Sequence, residues 1–136
     1  MTRLCVVPGV LALRPEYASL VDPVPDLRRV VASAHAWADE VVTLNGSARR
    51  TTTSPGPFDD RAVGFDDTLF AALVSADVAA LRAVDQVLAK ELWASAEALP
   101  ALADALEGRT WRVSVDFDEA PYGVAWWVVR YEDAAR

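Results

Sequence analysis

Three chemically capable residue types are nearly missing from this chain. Its 136 residues include one cysteine (Cys5), one histidine (His35) and one lysine (Lys90), with a single methionine besides. One cysteine closes no internal disulfide, and together with one histidine it builds neither a zinc finger nor a three-histidine catalytic metal site. No apolar run reaches the roughly 18–20 residues of a bilayer span, and the first residues lack the cleavage pattern of a secretory leader. Basic charge is also short: 13 Lys and Arg stand against 20 Asp and Glu, for a formal net charge of −7 and a pI near 4.6. A surface of that sign repels phosphate backbones on average, so nucleic acid is not expected as a partner, and without a spanning run neither is a membrane. The expectation is a soluble, cytoplasmic protein.

Apolar residues are plentiful. At 53% of the chain they exceed the usual share and argue against disorder. The length suits one domain, which buries about two-thirds of its unfolded surface and folds without disulfide or metal. One α/β domain over residues 1–136 is therefore expected.

The order of elements points the same way. Leu4-Cys5-Val6-Val7, stopped by Pro8-Gly9, reads as a buried strand. Residues 10–25 form a Pro-punctuated connection, after which Asp22 or the Pro25-Asp26 pair opens a helix. In it Leu27, Val30, Val31, Ala34 and Ala38 recur at helical spacing. Val41 to Leu44 reads as a second buried strand, and strand, crossover helix, strand is the start of a parallel α/β sheet. Residues 45–64 show no periodicity and are long for a loop in a compact domain, a length that goes with function or disorder. They leave a strand end, where open α/β sheets usually place ligands.

Residues 65–107 read as nearly all helix. Phe65, Leu69, Ala72 and Leu73 form one stripe, Asp77 and Asp85 serve as N-caps, Pro100 opens a last helix and Gly108 closes it. Trp111, Val113, Val115 and Phe117 alternate with polar residues, as in a strand with one wet face. Val124 to Tyr131 is apolar on both faces, a central-strand pattern. The expected fold is α/β: a mixed, mainly parallel sheet flanked by helices, ending in a C-terminal β-hairpin.

Few side chains stand out as chemistry. His35 lies on a helix flank beside Asp39, more in keeping with a solvated surface than with catalysis. Cys5 sits inside a strand pattern, as a small core residue does. In the long loop Ser47, Arg50 and Arg61 could hold a small anion. Alternatively Arg50 and Arg61 pair with Asp59, Asp60 or Asp66 and fasten the loop. Asp116, Asp118 and Glu119 near a strand end could ligate a divalent ion or move protons, or could simply be solvated. Trp126 and Trp127 read as core or dimer-contact residues.

Two stretches resemble a known family. One is Gly46-Ser47-Ala48-Arg49-Arg50-Thr51, then Pro55-Gly56, Asp60-Arg61-Ala62 and Phe65-Asp66. The other is Asp118-Glu119-Ala120-Pro121-Tyr122-Gly123-Val124-Ala125-Trp126. With the Val-Val-Pro of residues 6–8 and Pro15-Glu16, they look like the class III extradiol dioxygenase B-subunit-like proteins of actinobacteria. The resemblance implies an α/β sandwich with a helix-flanked sheet. In active members it implies a non-haem Fe(II), held by two His and a carboxylate, that opens a catecholic ring with O₂.

This chain departs from that pattern. It has Pro8-Gly9 and Ser47-Ala48 where active members tend to have Pro-His and Ser-His, and Leu44 runs straight into the later loop, so the family's middle segment is missing. The resemblance then implies a trimmed, catalytically silent relative, a pseudoenzyme with no catalytic residue, no metal ligand and no cofactor. Non-haem Fe(II) belongs only to a residual ring-cleavage enzyme. What would remain is a small-molecule-binding or protein-interaction domain, with a small anionic or aromatic ligand or a second copy in a homodimer as its partner. The residues to test are Ser47, Arg50, Asp60, Arg61, Glu119 and Tyr122. The alternative is an enzyme of another class, metal-dependent or proton-transferring, built on Asp118, Glu119 and His35.

Overall fold

The structure, a computed structural model, describes residues 2–9 and 26–134. Four strands form one sheet: β1 (Arg3–Val7), β2 (Glu40–Thr43), β3 (Trp111–Glu119) and β4 (Trp126–Asp133), in the order β2-β1-β4-β3. Among the described residues five helices accompany them: α1 (Leu27–Trp37), α2 (Ala62–Ser75), α3 (Val78–Arg82), α4 (Gln86–Glu91) and α5 (Leu99–Leu106). The α/β class, the mixed sheet and the closing hairpin are as the pattern predicts. β1 runs parallel to β2, while β4 is antiparallel to both β1 and β3. The returning hairpin docks β4 against β1, so antiparallel pairings outnumber the parallel one. The expected connection over residues 10–25, with its opening at Asp22, lies outside the described residues.

Alternation within β1 and β4 supplies two cores. Leu4 and Val6 of β1 and Trp127, Val129 and Tyr131 of β4 face α2, α3 and α5. Cys5 and Val7, with Trp126 and Val128, face Leu27, Val31 and Ala34 of α1. The sheet is thus covered on both sides, as apolar runs without polar alternation require. Trp126 and Trp127 are 1% and 2% exposed; they are core, and as they stand cannot be contacts of a dimer.

Local signals for helix ends also appear in the structure. Asp77 accepts from Ala80 N–H, and Asp85 accepts from Val87 and Leu88 N–H, each near 3.0 Å, satisfying donors that a helix start leaves open. Pro100 lies in the first turn of α5, and Gly108 follows its end with a φ of 78° that suits glycine.

One expectation about β3 is corrected. Trp111 and Val113 lean on the α2 side, but Phe117 is buried on the α1 side. A β-bulge lies between Val115 and Phe117: Val115 pairs with Val129 and Phe117 with Val128, leaving Asp116 as the extra residue. The inserted residue reverses the phase of alternation. Asp116 is then free to bind the Arg130 guanidinium on the α1 side, where Arg130 also lies over the Trp37 ring and reaches Ser33.

Candidate functional site

The β2–α2 connection is stitched to the body along its length. Asn45 and Ser95 exchange two backbone hydrogen bonds, Gly46 N–H donates to Ala125 O at 2.9 Å, and Ala125 N–H donates to Ser47 O at 3.1 Å. Farther along, Ala48 N–H reaches Leu92 O at 3.0 Å. Arg49 bonds the carbonyls of Pro57 and Glu91, both at 2.6 Å. Arg61 grips Asp59 through Nε and Nη2 at 3.0 and 2.8 Å and touches Glu91. The Arg61 donors hold the Asp59 carboxyl well below the usual carboxylate range. Asp59 also accepts from Arg61 N–H, and its carbonyl from Ala62 N–H, so α2 begins three residues before Phe65.

Beneath this loop lies a buried polar knot. Asp66, on the inner face of α2 and 1% exposed, accepts from Ser47 N–H at 2.7 Å, from Ser47 Oγ–H at 2.7 Å and from Arg50 Nη1 at 2.8 Å. Ser47 is itself fully buried. Three donors on one carboxylate are what a buried charge requires. Space is correspondingly tight. A Cβ on Gly46 would come within 2.5 Å of the Ala125 methyl and 2.8 Å of both Asp66 Oδ1 and Trp127 Cη2.

The knot forms one wall of a cleft of about 240 Å³, lined by Arg50, Asp66, Asp67, Phe70, Asp118, Glu119, Ala120, Ala125 and Trp127. Phe70 stacks on Trp127 with ring centroids 5.7 Å apart. The end of β3 contributes Asp118 and Glu119. The strand ends thus gather the two polar stretches: Ser54 Oγ–H also donates to Gly123 O at 3.0 Å, and Gly123 turns at a φ of 74°. Four carboxylates share the cleft with one guanidinium, which is already committed to Asp66.

Of the six residues singled out in the sequence, Arg50 and Glu119 line this cleft, and Ser47 lies beneath it holding Asp66. Asp60 and Arg61 are exposed at the start of α2, where Arg61 fastens the loop. Tyr122 lies edge-on to Trp126 at 5.9 Å, against the α1-side core. His35 is exposed on α1, the helix covering the opposite face of the sheet, so it does not join Asp118 and Glu119. Cys5 is fully buried, and desolvation pushes its thiol up to about 11. Asp66 lines the cleft and anchors its wall, yet it is not among the six residues that the sequence singles out. Its signal was a carboxylate inside an apolar stripe, four residues after Ala62 and three before Leu69.

Among the described residues, no group of three or more His, Cys, Asp or Glu side chains could hold a metal ion. At the two positions where active members of the family that the sequence resembles tend to have histidine, Gly9 brings no side chain, its N–H being bonded to Asn45 Oδ1 at 3.0 Å, and Ala48 is a methyl packed in the α1-side core. The residues present do not fit a two-His-one-carboxylate iron. Among the described residues, no helix is long and apolar enough to cross a membrane. Comparison of the chain with protein-family models, with curated proteins and with solved structures finds no match.

Proposed function

We propose that this protein is a small-molecule-binding domain, catalytically silent toward ring cleavage, whose cleft takes a compact aromatic or alkyl cation. The observation that carries this reading is the charge inventory of the cleft. Asp66 and Arg50 neutralise each other, leaving Asp67, Asp118 and Glu119 around a concave surface that includes a half-buried phenyl ring. Carboxylates attract an ammonium or amidinium, and a ring face adds attraction for a cation when water is excluded. An anion, the ligand first suggested by the loop's arginines and hydroxyls, would meet three uncompensated carboxylates. A cleft of about 240 Å³ is below the ~300–1,000 Å³ of typical drug-sized pockets, so the ligand is small.

Titration calorimetry with benzylamine and with benzoate tests the proposal, because the two share a ring and differ in charge. Benzylamine should bind at least about tenfold more tightly, a difference of about 1.4 kcal/mol. The Asp118→Asn/Glu119→Gln double variant should lose most of that preference. Equal binding of benzoate, or a double variant indistinguishable from the parent, refutes the cleft reading. Silence toward ring cleavage is tested separately: stoichiometric iron in purified protein, or oxygen uptake with a panel of catechols, would overturn it.

A further inference from the structure

We propose that the outer edge of β3 is a self-pairing surface, on which a second copy of this chain adds its own β3 antiparallel about a two-fold axis at Ser114. The inference is independent of the cleft reading. β3 is the longest strand of the sheet, with nine residues, yet it lies at the edge, and no described residue pairs with its outer side. Natural edges are usually kept short, bulged or charged, because an open ladder of N–H and C=O groups invites another strand. The opposite edge, β2, follows that rule with four residues. β3 follows it only from its bulge onward. Trp111 to Val115 keep an unbroken register with β4, and Arg112, Ser114 and Val115 are exposed on that stretch.

Charge along the strand selects the partner. The half before Ser114 carries Arg112, and the half after it carries Asp116, Asp118 and Glu119. Among the described residues the Arg112 side chain makes no ion pair or hydrogen bond, although its ladder partner on β4 is Glu132. Antiparallel pairing centred on Ser114 sets Arg112 opposite Asp116 of the second copy, and Val113 opposite Val115, each twice. The faces agree as well. Val113 leans on the α2 side, and Val115, two residues before the bulge, shares that side by strand alternation. Arg112 alternates to the α1 side, where Asp116 already meets Arg130. Opposed residues of an antiparallel pair share a face, so each charge finds its opposite and each valine a valine. Val115, 40% exposed, gains the apolar cover that the single chain does not give it. A parallel pairing, or an antiparallel one displaced toward the acidic half, sets carboxylates against one another.

The test uses the full chain. Sedimentation from low micromolar to near-millimolar concentration should show a monomer–dimer equilibrium. Arg112→Glu should weaken it by about tenfold or more, since two attractive pairs become two repulsive ones. Ser114→Cys supplies a geometric readout. Residues facing each other across the axis have Cα atoms roughly 4.5–5.5 Å apart, within the range a disulfide spans, while Cys5 is fully buried and stays out of the reaction. Mild oxidation should then give covalent dimer far faster from Ser114→Cys than from Thr68→Cys, an exposed position on α2. A chain that stays monomeric throughout overturns the proposal, as does covalent dimer forming no faster at Ser114 than at Thr68.

Discussion

Truncating Asp66 probes the group on which both the long loop and the cleft wall depend. Its carboxylate takes three donors at 2.7, 2.7 and 2.8 Å and is 1% exposed. In Asp66→Ala the Ser47 N–H is left buried without an acceptor, at about 1–3 kcal/mol. The Ser47 hydroxyl can turn but finds no new carboxylate, and the Arg50 side chain, 23% exposed, recovers part of its hydration. The total falls at about 3–5 kcal/mol, the scale on which a buried charge pair is broken. A 136-residue domain holds on the order of 7–20 kcal/mol of net stability, so the loss is a large fraction of it. Arg50→Ala should cost less, about 1–2 kcal/mol, because both Ser47 donors still hold the carboxylate. Ser47→Ala, which keeps the N–H donor, should cost about 1 kcal/mol. Urea titrations followed by tryptophan fluorescence give these differences from midpoints at constant slope. The Ser47→Ala/Asp66→Ala pair should lose about 1 kcal/mol less than the two single losses together. Strict additivity, or an Asp66→Ala cost below about 1 kcal/mol, would show that the knot is not the structural unit its geometry describes.

Two glycines make a matched pair of further predictions. Gly46→Ala drives a methyl to 2.5 Å from the Ala125 methyl and 2.8 Å from Trp127, both buried, and should cost about 3 kcal/mol or more. Gly64→Ala, in α2 with nothing within 4 Å of the new atom, should stabilise by about 0.5–1 kcal/mol; thermal melts rank the two. Alkaline stability tests the Cys5 environment. The thiol moves from 9.0 in the open chain to about 11 in the fold. Between those values the unfolded state binds fewer protons, so stability falls as pH rises, by about 2–3 kcal/mol at pH 11. Burial likewise raises Tyr131 above its ordinary 10.0 and adds to the loss from about pH 10 upward. Cys5→Ala should show the shallower decline in urea midpoints measured from pH 8 to 11, and parallel pH profiles would contradict the assignment.

What the sequence made legible was local. Apolar residues on both faces of β1 and β4 announce central strands, and Asp77, Asp85 and Gly108 mark helix ends because capping depends on residues only a few positions apart. The partner of Arg50 was open between fastening the loop and holding a ligand, and the structure places that guanidinium on Asp66. Nothing local makes that choice, since Asp66 is 16 residues away and meets Arg50 only after α2 packs on the sheet. The docking of β4 beside β1 is equally non-local. Tyr122 looked like part of the site because it sits in the same polar string as Glu119. The chain's turn at Gly123 sends it to the other side of the sheet, against Trp126.

The bulge in β3 was hidden for a related reason, and its removal is a prediction in its own right. Read alone, Trp111, Val113, Val115 and Phe117 share one face. Phe117 instead joins the α1-side core because Val128, its partner on β4, points there. Burying a phenyl ring contributes about 1.5–3 kcal/mol, enough to outweigh the ladder disruption of one inserted residue. Deleting Asp116 should therefore leave every other pairing in place: Val115 stays opposite Val129 and Phe117 opposite Val128, now as neighbours on opposite faces. The lost Asp116–Arg130 contact is about a quarter exposed on each side and is worth about 1 kcal/mol or less. One fewer ordered residue lowers the entropy cost of folding by about 1–2 kcal/mol, enough to cancel that loss. The deletion variant should thus stay within about 2 kcal/mol of the parent in urea denaturation, although removing a residue from a strand interior would ordinarily shift its register. It should also weaken self-association, having lost the carboxylate that faces Arg112. A deletion that unfolds the chain would mean that the bulge shapes β3 in some way other than by correcting the phase of Phe117.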